Sequence, residues 1–312
     1  MAAIVTLTPN PAIDLSTSID RVVPMRKLRC APQRRDPGGG GVNVARVVKR
    51  FGGDVEAILP VGGFTGQLLR RLIDDESIPN RIVEAEAETR EDFSVSELST
   101  AQQYRFVLPG QPLRESEWRG CLDALAATQP APKYVVGSGS LPPGVPNDFY
   151  AQAAAVARKL GAKFILDTSG APLAAAIERG VYMIKPNLRE MRDLAGVELV
   201  NQNDWIVAAR EYINAGKVEV VALSLGHLGA LLVTRDQAWR SQALPIKPVS
   251  AVGAGDSFLG AMVFSLAKGN RLADAFRLGI AAGSAALIHE GTELCQLADV
   301  HRLYAQVAIE PV

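Results

Sequence analysis

A chain of 312 residues, with 21% charged side chains and a formal net charge of zero, is long enough for one large α/β domain or a domain with a small appendage. The balanced charge excludes a general attraction to nucleic acid or to an anionic membrane. No run of about 18 apolar residues is free of charges and breakers, so no membrane span is expected. Residues 1–7 lack the basic start of a signal peptide, and Pro9 and Asn10 follow too soon for one. Cys30, Cys121 and Cys295 are scattered without C-x-x-C spacing. They read as reduced thiols of a cytoplasmic protein, not a disulfide frame or a zinc site. His227, His289 and His301 form no metal-ligand pattern.

In chain order, residues 3–7 are a short β-rich run that ends at Thr8-Pro9-Asn10-Pro11. Asp14 follows just past the carboxyl end of that strand, where open α/β sheets place ligands. Residues 13–35 alternate weakly and carry Pro24, Pro32, Lys27, Arg29, Arg34 and Arg35, which predicts strands or loop outside the main sheet. The glycines 38–41 then open a helix over 42–51, where backbone approaches a ligand without Cβ interference. No G-x-G-x-x-G follows a strand and no G-x-x-x-x-G-K-[ST] occurs. A strand over 55–61, an amphipathic helix over 67–75 and a strand over 81–85 come next. Residues 93–98 and 103–108 alternate around Ser99-Thr100-Ala101 as a hairpin, with Thr89-Arg90 before it and Tyr104-Arg105 inside it. Two β-only insertions in a βα chain predict a lid (13–35 and 87–109) on a core (1–12, 36–86 and 110–312).

Beyond residue 110 the alternation is regular. Helices are predicted over 116–127, 147–160, 171–179 and 204–215, and strands over 133–137, 163–167, 181–184, 218–224, 230–233 and 238–242. Three helices close the chain. This is an α/β pattern with a mostly parallel sheet. The polar clusters nearly all follow strands: Asp14, Ser138-Gly139-Ser140, Asp167, Lys185-Pro186-Asn187-Leu188-Arg189-Glu190, Ser224 to Gly229, then Gly253-Ala254-Gly255-Asp256. Loops at the carboxyl ends of parallel strands share one edge of the sheet.

Phosphoryl transfer needs charge stabilisation and a positioned acceptor hydroxyl. Backbone N–H groups from Gly253, Ala254 and Gly255 into the following helix suit a developing anion. Asp256 beside them suits the role of general base. Glu190 suits magnesium, through water, because Mg²⁺ usually keeps several waters. Ser224 and Gly226 suit a nucleotide, and Arg90 and Arg105 offer forks for a phosphate already on the substrate. Each has a plainer reading: solvated strand residues for the two arginines, a capping box for Asn187 and Glu190, and a strand end for Lys185.

The motifs together resemble the ribokinase-type (PfkB) sugar kinases over essentially the whole chain. Gly40-Gly41-Val42-Asn43-Val44-Ala45 with Gly52 and Gly62 is similar to that family's first signature, and Val252-Gly253-Ala254-Gly255-Asp256 to its second. Lys185-Pro186-Asn187-x-x-Glu190 and Ser224-Leu225-Gly226-x-x-Gly229-Ala230 resemble its magnesium and nucleotide motifs. Thr8 to Asp14, Thr89-Arg90 and Ser138 to Gly144 resemble its phosphosugar branch. The resemblance implies a three-layer α/β/α ribokinase-like core with a small β-sheet lid that pairs two subunits in a homodimer. It implies ATP-dependent phosphorylation of fructose 6-phosphate at its 1-hydroxyl, with fructose 1-phosphate and tagatose 6-phosphate as alternative substrates. Retention of Asp256 argues against a non-catalytic sugar-phosphate sensor. By resemblance, Asp14, Lys27, Gly39, Gly40, Asn43, Arg90, Arg105 and Ser138 bind the phosphosugar. Lys185, Asn187, Ser224, Gly226, Gly229 and Ser284 hold ATP, and Glu190 serves Mg²⁺. Carbonyls of Ser250, Val252, Ala286 and Gly291 would bind K⁺. The small-residue run 281–286 suits either a flat adenine or tight helix packing. Three positions depart from the pattern: Ala251 stands for a common Thr, Glu293 for an Arg and His289 for an Asn.

Overall fold

The computed structural model describes residues 3–289 and 291–312. Met1 and Ala2, which open the segment read above for a signal peptide, lie outside the described residues, as does Glu290. The elements run β1 (Ile4–Leu7), β2 (Ala12–Ile19), β3 (Arg34–Gly38), α1 (Gly40–Arg50), β4 (Val55–Val61), α2 (Gly63–Asp75), β5 (Asn80–Glu84), β6 (Arg90–Glu97) and β7 (Gln102–Phe106). There follow α3 (Glu115–Ala126), β8 (Tyr134–Ser138), α4 (Phe149–Lys159), β9 (Lys163–Asp167), α5 (Gly170–Glu178), β10 (Val181–Ile184), α6 (Leu188–Ala195) and α7 (Gln202–Asn214). The chain ends with β11 (Val218–Ser224), β12 (Ala230–Val233), β13 (Ala238–Ser241), α8 (Ala254–Ala267), α9 (Leu272–Leu287), α10 (Leu297–Tyr304) and β14 (Glu310–Pro311).

Successive strand residues point to opposite faces, and here both faces are apolar. In β4, Val55, Ala57, Leu59 and Val61 join one core with α1, α2, α8, α9 and α10, whereas Ile58 joins the other. In β9, Ile165 faces the first core while Phe164 and Leu166 face the second, with α3 to α7. Helices on both faces of a sheet make the three layers. The main sheet has the order β14-β13-β12-β11-β10-β9-β8-β1-β4-β5. β5 through β11 are parallel in that order, and the β11 edge continues antiparallel through β12, β13 and β14. From β1 the chain goes first to β4 and β5 on one side, then returns to β8 on the other. The strand order therefore reverses between β1 and β8, and a ligand crevice is expected at their carboxyl ends.

The lid is a second sheet of order β3-β2-β6-β7. β2 pairs parallel with β6 and antiparallel with β3, and β6 and β7 form the expected hairpin. Pairing of β3 runs past residue 35 as far as Gly38, opposite Ala12, so the lid grows directly out of β1 and into α1. β7 stops at Phe106 instead of 108 because residue 108 is held elsewhere. The Leu108 N–H donates to Asp92 Oδ1 at 3.0 Å, and its carbonyl accepts from Arg90 Nη1 at 2.7 Å. α2 starts at Gly63, earlier than its apolar pattern suggests, because distant Glu88 accepts the N–H groups of Phe64 and Thr65 at 3.1 and 3.0 Å. Among the described residues, no helix is long and apolar enough to cross a membrane.

α1 and α8 lie close together. A Cβ at Gly260 of α8 would sit 2.7 Å from Val47 Cβ of α1, so only glycine permits this approach. Gly260→Val is expected to destabilise the protein by about 1–3 kcal/mol through overpacking. The check is urea unfolding, where an unchanged midpoint would show that the two helices are not pressed together.

Candidate active site

The crevice between β1 and β8 is where α1 begins. A Cβ on Gly40 would fall 2.2 Å from Ser138 Oγ, so the glycine run lets the helix start meet the end of β8. Asn43, one turn further on, donates from Nδ2 to Asp256 Oδ2 at 2.9 Å. Asp256 lies in the first turn of α8, after the left-handed N-cap Gly253 (φ 73). The helix start has no side-chain cap, and the N–H groups of Gly255 and Asp256 make no backbone hydrogen bond among the described residues. Free N–H groups at a helix start carry a partial positive charge.

Lys185, at the end of β10, closes this arrangement from the other side. Its Nζ lies 3.2 Å from Asp167 Oδ2, and a Cβ on Gly255 would also be 3.2 Å from that Nζ. A buried ammonium therefore stands beside the open turn at the start of α8. Loss of water pulls the Lys185 pKa down, but the charges of Asp167 and Asp256 outweigh it and leave the pKa raised. Asp256 itself is half-buried. Desolvation first, then the Asp167 charge, push its pKa up to about 6; the Asn43 hydrogen bond and Lys185 act in the opposite direction. Asp14 of β2 is likewise raised to about 6 by desolvation, with the Thr292 hydroxyl and Arg105 lowering it and Asp92 raising it.

The remaining phosphosugar candidates fall into two groups. Gly39, Gly40, Asn43 and Ser138 gather at the crevice; Asp14, Arg90 and Arg105 line the lid above it. Arg90 Nη1 donates to Asp92 Oδ1 (2.9 Å) and to the Leu108 carbonyl, and Nη2 donates to the Asn10 carbonyl at 3.3 Å. Its Nε is buried and has no hydrogen-bond partner among the described residues, as is also true of the Nε atoms of Arg192, Arg210 and Arg277. Arg105 is exposed on β7, opposite Ser94. Lys27 lies on the exposed connection between β2 and β3.

On the nucleotide side, Asn187 caps α6 and exchanges hydrogen bonds with Glu190 at 2.9 Å each way. This is the capping box. Ser224 bridges to Asn187, and the turn from Gly226 to Gly229 follows beside it. Of the run 281–286, Ala281, Ala282, Ala285 and Ala286 are buried in the core. A Cβ on Gly283 would lie 3.2 Å from the Ala254 carbonyl. Tight packing against α8 therefore accounts for most of the run, and Ser284 is half-exposed beside it. Two of the segments named for potassium, those of Ser250 and Ala286, meet. The N–H groups of Val249 and Ser250 donate to the Leu287 carbonyl, and the Ser250 hydroxyl donates to Gln103 Oε1 of the lid at 3.2 Å. Val252, Ala286 and Gly291 are buried around that junction.

Among the described residues, no three His, Cys, Asp or Glu side chains gather to hold a metal by themselves. Glu190 is raised by desolvation and also by the charge of Asp167. Two carboxylates that raise each other's energy suit a hydrated divalent cation shared with phosphates.

The family follows from comparison. Residues 5–299 match the family described as pfkB family carbohydrate kinase. The chain belongs to that family. It is 46% identical over 308 residues to the ATP-dependent 6-phosphofructokinase isozyme 2 of Mycobacterium tuberculosis, covering 99% of this chain and 90% of that protein. Phosphofructokinase-2 from Escherichia coli has a similar structure. Its complex with potassium gives a TM-score of 0.93 at 41% identity, over 98% of this chain and 99% of that one. Its complex with fructose-6-phosphate gives 0.92 at 40% identity over the same shares. In this pfkB kinase, sequence reasoning had passed over Arg46, Asp92 and Thr292 as parts of the site. Asp167 was visible as a strand-end carboxylate, but its ion pair with Lys185 was not.

The raised pKa of Asp256 has a consequence for stability. Its folded value of about 6 lies above the ordinary 3.8, so between those values the native state binds the extra proton. Its contribution to stability therefore falls as pH rises through that window, and the full cost is present above about pH 6. Asp256→Asn is expected to raise Tm at pH 8 and to lose that advantage near pH 4. Calorimetry across pH checks this, and an equal shift at both ends would contradict the assigned pKa.

Proposed function

We propose that this pfkB kinase transfers the γ-phosphoryl group of ATP to the 1-hydroxyl of fructose 6-phosphate. The observation that carries the reading is the setting of Asp256: one oxygen held by Asn43, Lys185 on the nucleotide side, and Asp14 close enough on the lid side to raise its pKa. With Oδ2 occupied, the other oxygen is left for a sugar hydroxyl. A pKa of about 6 leaves the group ionised at neutral pH yet a stronger base than an ordinary carboxylate. The hydroxyl proton passes to Asp256 as the sugar oxygen bonds to the γ-phosphorus and the bond to ADP breaks. Lys185 and the open N–H groups of Gly255 and Asp256 face the charge that develops. Glu190 would hold Mg²⁺ through water, where the ion supplies neutralisation of the phosphate oxygens. The cluster of Ser250, Val252, Ala286 and Gly291 would bind K⁺ through carbonyls.

The substrate reading rests on the lid. Arg90 is held beside Asp92 and Asn10, and Arg105 lies near Asp14 and Asp92. A sugar that already carries a phosphate would satisfy both cations, whereas a neutral sugar or nucleoside would not. The named relatives support fructose 6-phosphate over its isomers. The lid also leaves Phe93 and Phe106 exposed, their rings stacked with centroids 6.2 Å apart, which supports a homodimer joined through this sheet. Three free cysteines, with Cys30 exposed, suit a reducing cytoplasm.

Asp256→Asn is expected to lower kcat by about 10²–10⁴ with little change in KM; near-normal turnover would remove Asp256 as the base. Comparing kcat/KM for fructose 6-phosphate, fructose 1-phosphate and tagatose 6-phosphate, each with ATP, tests the substrate. A preference for either of the last two overturns that part of the reading.

A further inference from the structure

Arg46 is an arginine whose side chain is completely shielded from solvent. It lies on α1, which is buried from Gly41 through Val48, so it has no wet face to reach. Burying a guanidinium is tolerated only when its donors are matched, and here they are matched by four separate parts of the chain. Nη1 donates to the Pro37 carbonyl of β3 and to the Thr292 carbonyl, both at 3.1 Å, and to Asn43 Oδ1 at 3.3 Å. Nε and Nη2 donate to Glu76 Oε1 at 2.8 and 2.5 Å, and Nη2 also approaches Asp36 Oδ1 at 3.4 Å.

Apart from Glu76, each of these contacts is one step from the reaction. An amide has one acceptor and one donor end. By donating to Asn43 Oδ1, Arg46 fixes which way that amide faces, so that Nδ2 is the group turned toward Asp256 Oδ2. Thr292 holds its carbonyl on Arg46 while its hydroxyl lies against Asp14. Pro37 and Asp36 belong to the lid strand that pairs with Asp14 and Leu15 on β2. We infer that Arg46 is a positioning residue for phosphoryl transfer. It holds the Asn43 amide toward the base and locks the lid strand and Thr292 at the registry in which Asp14 and Asp256 face the same sugar. This rests on the reading of Asp256 as the base.

The test is a double-mutant cycle read in kcat with ATP and fructose 6-phosphate. Arg46→Lys keeps the charge and loses the fork; it is expected to lower kcat about tenfold, a coupling of the size found within one hydrogen-bond network, with KM for ATP unchanged. In an Asn43→Ala background the same substitution is expected to lower kcat by clearly less than about tenfold, because the part of its effect that runs through the amide is gone. A merely structural loss would instead multiply with that of Asn43→Ala, and that result overturns the proposal. So does a folded Arg46→Lys enzyme with normal kcat. Glu76→Ala covers the case in which Arg46→Lys does not fold. Glu76 lies away from the crevice and anchors the guanidinium from behind, so its removal is expected to lower kcat several-fold while thermal unfolding stays cooperative; an unchanged kcat overturns the proposal. The Asp256→Asn enzyme keeps the two readings apart. If that variant turns over normally the base assignment fails, whereas its collapse alongside a normal Arg46→Lys enzyme refutes only the positioning role.

Discussion

A carboxylate withdrawn from water at the start of α8 is the constraint on which the rest of the structure depends. Taking an ionised group out of water is costly unless it is paired and hydrogen-bonded. Asp256 is met by one amide and one nearby ammonium, but also by two further carboxylates, Asp167 and Asp14, that oppose its charge. The balance leaves its pKa at about 6. The fold therefore maintains an unfavourable charge where chemistry needs one, and the stability comes from the two apolar cores on either face of the sheet. Close approach of α1 and α8 sets the distance between Asn43 and Asp256, so helix packing and the geometry of the proposed base are one problem.

The same reasoning explains why the site lies where two sheets meet. The β1 and β8 ends create a crevice because strand order reverses there. The lid leaves β1 and re-enters α1 without a linker, so β2 and β3 cannot shift without disturbing the glycine run. Glu293 and His289, which depart from the family's pattern, sit on this seam. Glu293 contacts Arg34 of β3, and His289 lies 3.5 Å from Glu293 and 3.0 Å from Asp299 of α10. A substituted position here is joined to charged partners on the lid and on the last helix, so a reversal of charge at residue 293 is absorbed locally.

Much of this was legible in the sequence because strand ends advertise themselves. Apolar runs followed by Gly, Ser, Asp or Lys mark the carboxyl edge, and the hairpin of β6 and β7 showed its period of two. What could not be read were contacts that depend on distant backbone. The start of α2 is capped by Glu88, and β7 ends where Arg90 and Asp92 clasp residue 108. Neither partner is near in sequence. The small-residue run of α9 was ambiguous for a related reason: alanines suit a flat ligand or a close helix equally, and only the Ala254 carbonyl at Gly283 decides for packing. Arg46 was invisible because a charged residue on a helix normally marks its wet side, and α1 is buried all round from Gly41 through Val48.

Arg90 shows how far residue type alone carries an argument. An arginine at the lid suggests a two-pronged grip on phosphate, yet here Asp92 and the Leu108 carbonyl already occupy Nη1 and the Asn10 carbonyl occupies Nη2. Those bonds do not disqualify it. They fix the plane of the guanidinium and remove the entropy cost of orienting it. A side chain held in place before its ligand arrives binds more tightly than a free one with the same contacts. The Nε atom, buried and unpartnered among the described residues like those of Arg192, Arg210 and Arg277, adds no case for an anion of its own; the case rests on a guanidinium held in one plane beside the crevice.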